Sequence, residues 1–165
     1  MNGTTDESYR YKMPQFNISI CGKGNGIYTI FNNIDEICNS ITHPKEVFMT
    51  YLATINGSNY IQTKNIINGT FTQEKLIEDT LEYIKHLVMC PKCNIPETKP
   101  KIIGNKKNIQ LILTCSACNN DSILYPINKR IDKGIDIIIK YIKSEKDWSI
   151  KKGYVVKQED FMQPF

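Results

Sequence analysis

Four cysteines and one arginine carry most of the chemistry this sequence can offer. Cys90-Pro-Lys-Cys93 and Cys115-Ser-Ala-Cys118 are two Cys-x-x-Cys knuckles separated by 21 residues. At that spacing two tight turns can bring four thiolates around one tetrahedral zinc ion, Zn2+. Four sulfurs close the shell and leave no position for water, so the ion is expected to be structural and not catalytic. The competing reading, a pair of disulfides or a redox dithiol, needs an oxidising compartment or a thioredoxin-like context, and the sequence indicates neither. The residues that follow the knuckles, Asn94 and Asn119, are predicted to take positive φ, which asparagine tolerates best among non-glycine residues. Cys21 and Cys38 fall outside the pattern and are expected to be small, partly buried thiols.

The arginine stands out through composition. The chain has 19 lysines and 27 isoleucines but only two arginines, Arg10 and Arg130. Such a bias resembles nucleotide composition pressure, and an arginine retained against it merits attention because its planar fork has no lysine equivalent. Arg10 lies in Tyr9-Arg10-Tyr11-Lys12-Met13-Pro14, where composition alone reads it as a flexible tail charge. Gly22-Lys23-Gly24-Asn25-Gly26 superficially resembles a phosphate-binding loop, yet it lacks the Gly-Lys-Ser/Thr ending and falls between strands instead of opening a helix. It reads as a tight turn that is either purely structural or presents Lys23 to a partner. Lys92, Lys99, Lys101, Lys106 and Lys107 stud the ribbon segment, as a solvated face or as a surface for RNA or protein. His43 and His86 have no evident catalytic partner and are expected to be solvated. No Ser/His/Asp, Cys/His or paired-carboxylate constellation emerges, so the protein is not expected to be an enzyme with its own complete site.

The elements that must position these residues follow from length and pattern. A chain of 165 residues, 41% hydrophobic and 23% charged, supports one ordinary core or two small domains. Its net charge of +4 permits contact with nucleic acid without requiring it. No apolar run approaches the roughly 20 residues that cross a membrane, and the N-terminus lacks the apolar core of a signal peptide. The protein is therefore expected in the cytoplasm, as a monomer without a membrane partner. Five Asn-x-Ser/Thr sequons, at Asn2, Asn17, Asn56, Asn68 and Asn120, are attributed to chance in an asparagine-rich chain.

Residues 1–8 are expected to be disordered. Phe16, Ile18 and Ile20 alternate with polar residues as in a half-buried strand, and a second strand follows the glycine turn from Ile27 to Phe31. Asn33 can cap a short helix ended by His43-Pro44. Residues 47–55, rich in β-branched and aromatic types, read as extended, with Asn56-Gly57 turning into another strand near 60–67. Thr70 and Gln73 fit a capping box for a helix with Ile77, Leu81, Ile84 and Val88 on one face. Ile109 to Leu113 and Ile123 to Tyr125 read as ribbon strands. A C-terminal helix is predicted from Asp132 to about Ser144, since Ile135, Ile138, Ile139 and Ile142 recur at helical spacing. The fold class predicted is α+β: a small α/β domain with a mixed sheet at 9–88, a four-cysteine zinc ribbon at 89–127, and a C-terminal helix and tail at 128–165.

Taken together, Tyr9-Arg-Tyr-Lys-Met-Pro14, Gly22-Lys-Gly-Asn-Gly-Ile27, Asn68-Gly69 and Cys90-Pro-Lys-Cys-Asn-Ile-Pro-Glu-Thr98 resemble the N-terminal domain of eukaryotic translation initiation factor five. The similarity covers about residues 8–128. The first two strings favour that family over the related beta subunit of initiation factor two. The resemblance implies GTPase activation toward initiation factor two, whose gamma subunit holds GTP while the factor delivers initiator tRNA to the small ribosomal subunit. It implies that Arg10 acts as an arginine finger in trans, flanked by Tyr9, Tyr11 and Lys12. It also gives Lys23, Asn25, Lys92, Lys106 and Lys107 a role in contacting ribosomal RNA or a partner. Tyr28 stands where the family usually carries a basic residue. A non-catalytic module that binds the ribosome or an initiation factor through the same surfaces is the alternative.

Overall fold

A computed structural model describes residues 10–105, 108–146 and 148. They form two compact units, one ending at Leu81 and one spanning Glu82–Trp148. The sequence expectation places this boundary later, between 88 and 89, and sets the C-terminal helix apart from the ribbon.

In the first unit, strands β1 (Ile18–Cys21), β2 (Tyr28–Phe31), β3 (Tyr60–Ile61) and β4 (Ile66–Asn68) form a sheet of order β1-β2-β4-β3. The α+β class holds, but every pairing in this sheet is antiparallel, so the sheet is not mixed. Helices α1 (Ile34–Ile41) and α2 (Lys45–Ile55) lie between β2 and β3 in the chain. The amphipathic α1 buries Ile34, Ile37, Cys38 and Ile41. Thr42, at φ 57°, ends it before Pro44.

Residues 47–55, expected to be extended, belong to α2. The helix buries Val47, Phe48, Met49, Tyr51, Leu52 and Ala53, which lie on nearly all its sides. A segment buried on all sides has no polar face, so its sequence shows no period of 3.6 to distinguish it from a strand. Asn56-Gly57 closes the helix instead of starting a hairpin: Asn56 Nδ2 donates to the Leu52 carbonyl at 2.9 Å, and Gly57 takes φ 65°. The single strand expected over 60–67 is a hairpin, folded at a 3-10 turn (Gln62–Lys64) and Asn65 with φ 53°. The alternation expected in the first strand also shifts, since Ile20 is 53% exposed while Phe16, before the strand, is buried. Phe16 packs edge-on against Phe31 with ring centres 6.1 Å apart.

Helix α3 (Gln73–Tyr83) begins at Thr72, whose Oγ1 accepts from the Lys75 N–H at 3.3 Å. The cap expected from sequence, Thr70, lies two residues earlier. Gln73 instead donates its side chain to the Phe16 carbonyl, which ties α3 to the start of the sheet. The buried face comprises Leu76, Thr80, Tyr83 and Ile84, whereas Leu81, expected inside, is 43% exposed. Asp79 is fully buried, and its carboxylate accepts from Asn56 Nδ2 at 2.7 Å and from Lys75 Nζ at 2.8 Å. A buried carboxylate requires such donors, and these join the end of α2 to α3.

The second unit holds the remaining strands, β5 (Thr98–Asn105), β6 (Asn108–Cys115) and β7 (Asp121–Ile123), paired antiparallel in that order. After Tyr83 the helix continues as a π turn, Ile84–Val88, closed by the Met89 N–H on the Ile84 carbonyl at 2.8 Å. Helix α4 (Lys129–Lys143) packs on this turn and on β5, burying Ile131, Gly134, Ile135 and Ile138. It starts three residues before the expected Asp132 because Asn128 caps it, accepting from the Arg130 and Ile131 N–H groups at 2.9 Å each. The C-terminal tail expected after α4 lies, from residue 149 on, outside the described residues. Among the described residues no helix is long and apolar enough to cross a membrane.

Candidate functional site

The chain arrives at the first knuckle directly from the π turn. The Cys90 N–H donates to the Ile95 carbonyl at 3.1 Å, and the Asn94 N–H returns to the Cys90 carbonyl at 2.9 Å. These bonds wrap residues 90–95 into a tight loop, and Asn94 takes the predicted left-handed conformation with φ 55°. The second knuckle repeats the pattern: the Cys115 N–H donates to the Asn120 carbonyl at 3.0 Å, and Asn119 has φ 53°. The Ser116 N–H also donates to the Glu97 carbonyl at 2.8 Å, holding the two knuckles side by side.

All four sulfurs consequently lie within 4.8 Å of one another. Cys90 Sγ is 3.7 Å from Cys118 Sγ, and Cys93 Sγ is 3.6 Å from Cys115 Sγ. A tetrahedron with metal–sulfur bonds of about 2.3 Å has edges of roughly 3.8 Å, so these separations match the shell of one metal ion. Protons are shared unevenly within the cluster. Burial raises the Cys90 thiol, but the backbone N–H groups of Cys93 and Lys92 outweigh it and bring the thiol down to about 7. Burial and the neighbouring sulfurs push Cys93 up to about 12. Four crowded thiols resist full ionisation until a cation stands among them, and metal binding supplies that charge.

The remaining cysteines differ. Cys38 is buried and held well above the ordinary thiol range, first by desolvation and then by the charge of Asp35, so it is an inert thiol. Cys21 is half-buried. His43, expected in solvent, is fully buried, and desolvation lowers its pKa to about 3. His86 is half-buried, and its pKa is lowered by desolvation and by Lys85.

Arg10 occupies a different setting. Met13, Pro14 and Phe16 are buried in the first unit, whereas Arg10, at the first described position, is exposed. Its guanidinium lies 5.1 Å from the centre of the Tyr11 ring and donates to Tyr11 Oη at 3.1 Å. Tyr11 and Lys12 are half-buried, and Tyr9 lies outside the described residues. Asn17 receives the end of this arm. Its N–H donates to Asn33 Oδ1 at 2.9 Å, and its carbonyl accepts from the Asn32 N–H at 2.8 Å.

Lys23 and Asn25 sit at the opposite end of the β1–β2 hairpin, both exposed. The turn here requires glycine. Gly22 has φ 91°, and a Cβ added to it would collide with the Gly26 carbonyl. Behind the turn, the Gly69 N–H donates to the Ile27 carbonyl at 2.8 Å and the Gly69 carbonyl accepts from Thr29 Oγ1 at 2.8 Å. In the second unit Lys92, Lys99 and Lys101 are exposed, and Lys106 and Lys107 lie outside the described residues. One constellation is not foreseen by the sequence reading. The Glu82 carboxylate pairs with Arg130 Nε at 3.1 Å and accepts from Asn128 Nδ2 at 3.0 Å, which fastens the start of α4. The only sequence signal for it is the rarity of arginine.

Comparison with known proteins gives a consistent picture. A family model described as a domain found in initiation factors 2B and 5 matches residues 2–121. The chain is similar to eukaryotic translation initiation factor 5 of Drosophila melanogaster, with 32% identity over 133 residues. That alignment covers 78% of this chain and 28% of the fly protein. The protein of the same name from Mus musculus is 33% identical over 73% of this chain and 28% of its own length. The one from Saccharomyces cerevisiae is 33% identical over 68% of this chain and 28% of its own length. The chain thus spans less than a third of the length of these relatives.

Proposed function

The chain belongs to the domain family shared by initiation factors 2B and 5, the family of the N-terminal domain of translation initiation factor 5, and from that premise we propose that it activates GTP hydrolysis by initiation factor 2. In this reading it works in the cytoplasm as a monomer, on the small ribosomal subunit, against the GTP-bearing gamma subunit and its initiator tRNA. The carrying observation is the exposed guanidinium of Arg10 just ahead of the buried anchor formed by Met13, Pro14 and Phe16.

The physics of phosphoryl transfer suits that arrangement. Charge builds on the γ-phosphoryl oxygens in the transition state, and a guanidinium inserted from another protein stabilises it, with effects of about 10³–10⁵ in rate. That corresponds to about 4–7 kcal/mol of barrier. Leaving the Tyr11 ring costs far less, since an exposed cation–π contact contributes about 0.5–1 kcal/mol. Lys12, Lys23, Asn25 and Lys92 supply contacts to RNA or to the factor, and Tyr9, Lys106 and Lys107 extend that set. Zinc at Cys90, Cys93, Cys115 and Cys118 holds the ribbon together when bound and takes no part in hydrolysis. Tetrathiolate ligation and the tetrahedral spacing support zinc as the metal.

Single-turnover GTP hydrolysis in initiation complexes on small subunits tests the reading. Wild type should accelerate hydrolysis, and Arg10→Ala should remove most of the acceleration, by roughly 10³-fold or more as expected for a finger. No acceleration by wild type overturns the activator function. Equal acceleration by both proteins removes the finger assignment and leaves a binding module.

A further inference from the structure

On the reading above the protein works against a ribosomal subunit, and we propose that the outward side of α4 is a docking surface for the RNA phosphate backbone. The charge of the chain is segregated. Residues 1–81 carry six lysines and arginines against eight acidic residues, net −2, whereas residues 82–148 carry twelve against seven, net +5. Much of the excess lies on α4. Lys129, Lys133, Lys140 and Lys143 are all exposed, and a 3.6-residue period places them within about 80° of one another around the helix axis. They stand opposite the buried Ile131, Ile135 and Ile138 and span roughly 21 Å along the axis at 1.5 Å per residue.

Three observations separate this stripe from an ordinary solvated helix face. Asp132 and Asp136 stand at pairing distance in sequence, yet among the described residues none of the four lysines forms an ion pair. Lysines in the last turn favour the helix dipole, but Lys129 sits at the N-terminal end, where the dipole opposes a cation. The helix is also fixed in place, by the Asn128 cap and by Glu82 holding both Asn128 and Arg130. A row of uncompensated ammonium groups on a fixed helix is suited to a line of phosphates, where each contact releases a counterion. A protein partner fits less well. Protein interfaces centre on aromatic and apolar anchors and are depleted in lysine, and this stripe holds four lysines and Asp136 with no apolar residue between them.

The test measures binding of the full chain, zinc-loaded, to small ribosomal subunits and to a naked RNA duplex of about 20 base pairs across a salt series. The variant replaces Lys129, Lys133, Lys140 and Lys143 with glutamine. Unchanged thermal melting and metal content would show that it is folded. The expected result on the duplex is at least a tenfold loss of affinity at low salt, with the slope of log affinity against log salt shallower by about 3, near 0.7–0.9 per lysine lost. The same four positions changed to arginine should restore both. Unchanged affinity and slope, or a failure of wild type to bind the duplex, would overturn the proposal. So would loss of binding only to an acidic protein such as a polyglutamate probe. Should wild type bind the duplex but not small subunits, the initiation reading fails while the stripe is still judged on the duplex.

Discussion

The two units of this protein solve the problem of stability in different ways. The first excludes water with large side chains, Tyr51, Phe48, Met49, Leu52, Ile37 and Ile41 among them, all essentially inaccessible. The second buries a smaller set, Tyr83, Ile84, Leu87, Val88, Leu111, Leu113, Ile131 and Ile138 among them, and carries four thiols within 4.8 Å of one another. A three-stranded sheet, one long helix and a single π turn offer less apolar surface than the first unit, and small domains of this kind commonly depend on a metal. The contrast extends to charge, since the acidic unit holds the arm with Arg10 and the basic unit holds the four-cysteine cluster. The unit with the four-cysteine cluster is thus distinct from the unit that carries the proposed catalytic contact.

Three experiments would break or sharpen that contrast. Removing the metal should have the largest effect, because binding of a structural zinc ion is worth about 10–16 kcal/mol, more than most domains' entire stability. Chelation, or Cys115→Ser, should abolish amide-exchange protection across β5, β6 and β7 while α1 and α2 keep theirs. Loss of protection in both units would show that the first depends on the ribbon after all.

The second experiment concerns acid. Buried His43 has a folded pKa of about 3, below the ordinary 6.5, so the unfolded chain takes up a proton that the folded chain refuses. Its contribution is fully present above pH 6.5 and is lost as pH falls from there toward 3, at up to about 1.4 kcal/mol per pH unit. Melting of wild type followed from about pH 7 to 4.5 by probes in α2 should decline more steeply than that of His43→Gln. Parallel profiles would remove His43 as the source of acid sensitivity. The smallest effect is expected at Asn128. Asn128→Ala should cost the second unit about 1 kcal/mol through loss of the cap, read as a lower melting temperature with α1 and α2 unaltered. A shift in the first unit would mean that the two do not melt separately.

These regions are also unequally legible in the sequence. The cysteine cluster is readable because the spacing of the two knuckles is a covalent constraint, and Asn94 and Asn119 follow from the backbone that a knuckle demands. Helix α2 is not, because burial on nearly every side leaves no polar residues to reveal its period. The Thr70 cap fails by two residues because Gln73 is engaged by the distant Phe16 carbonyl, a tertiary contact that no local pattern shows. His43 looks solvent-facing beside a proline, and only the packing of the first unit encloses it. The Glu82 contacts to Asn128 and Arg130 join residues 46 and 48 positions apart, beyond any local signal.

The π turn at Ile84–Val88 has a consequence for how this chain can change in length. Its closing bond runs over five residues, from Met89 to Ile84, so the helix holds one residue more than an α-helical path between the same ends would use. Deleting the exposed Lys85 would let the turn relax to α-helix and rotate everything after it by about 100° relative to Tyr83. The four cysteines all follow the turn and would move together, but Glu82 precedes it and would turn away from Arg130 and Asn128. Between Tyr83 and Cys90, residue count thus decides whether Glu82 reaches the start of α4, and a single-codon deletion there would unfasten that helix while leaving every cysteine in place.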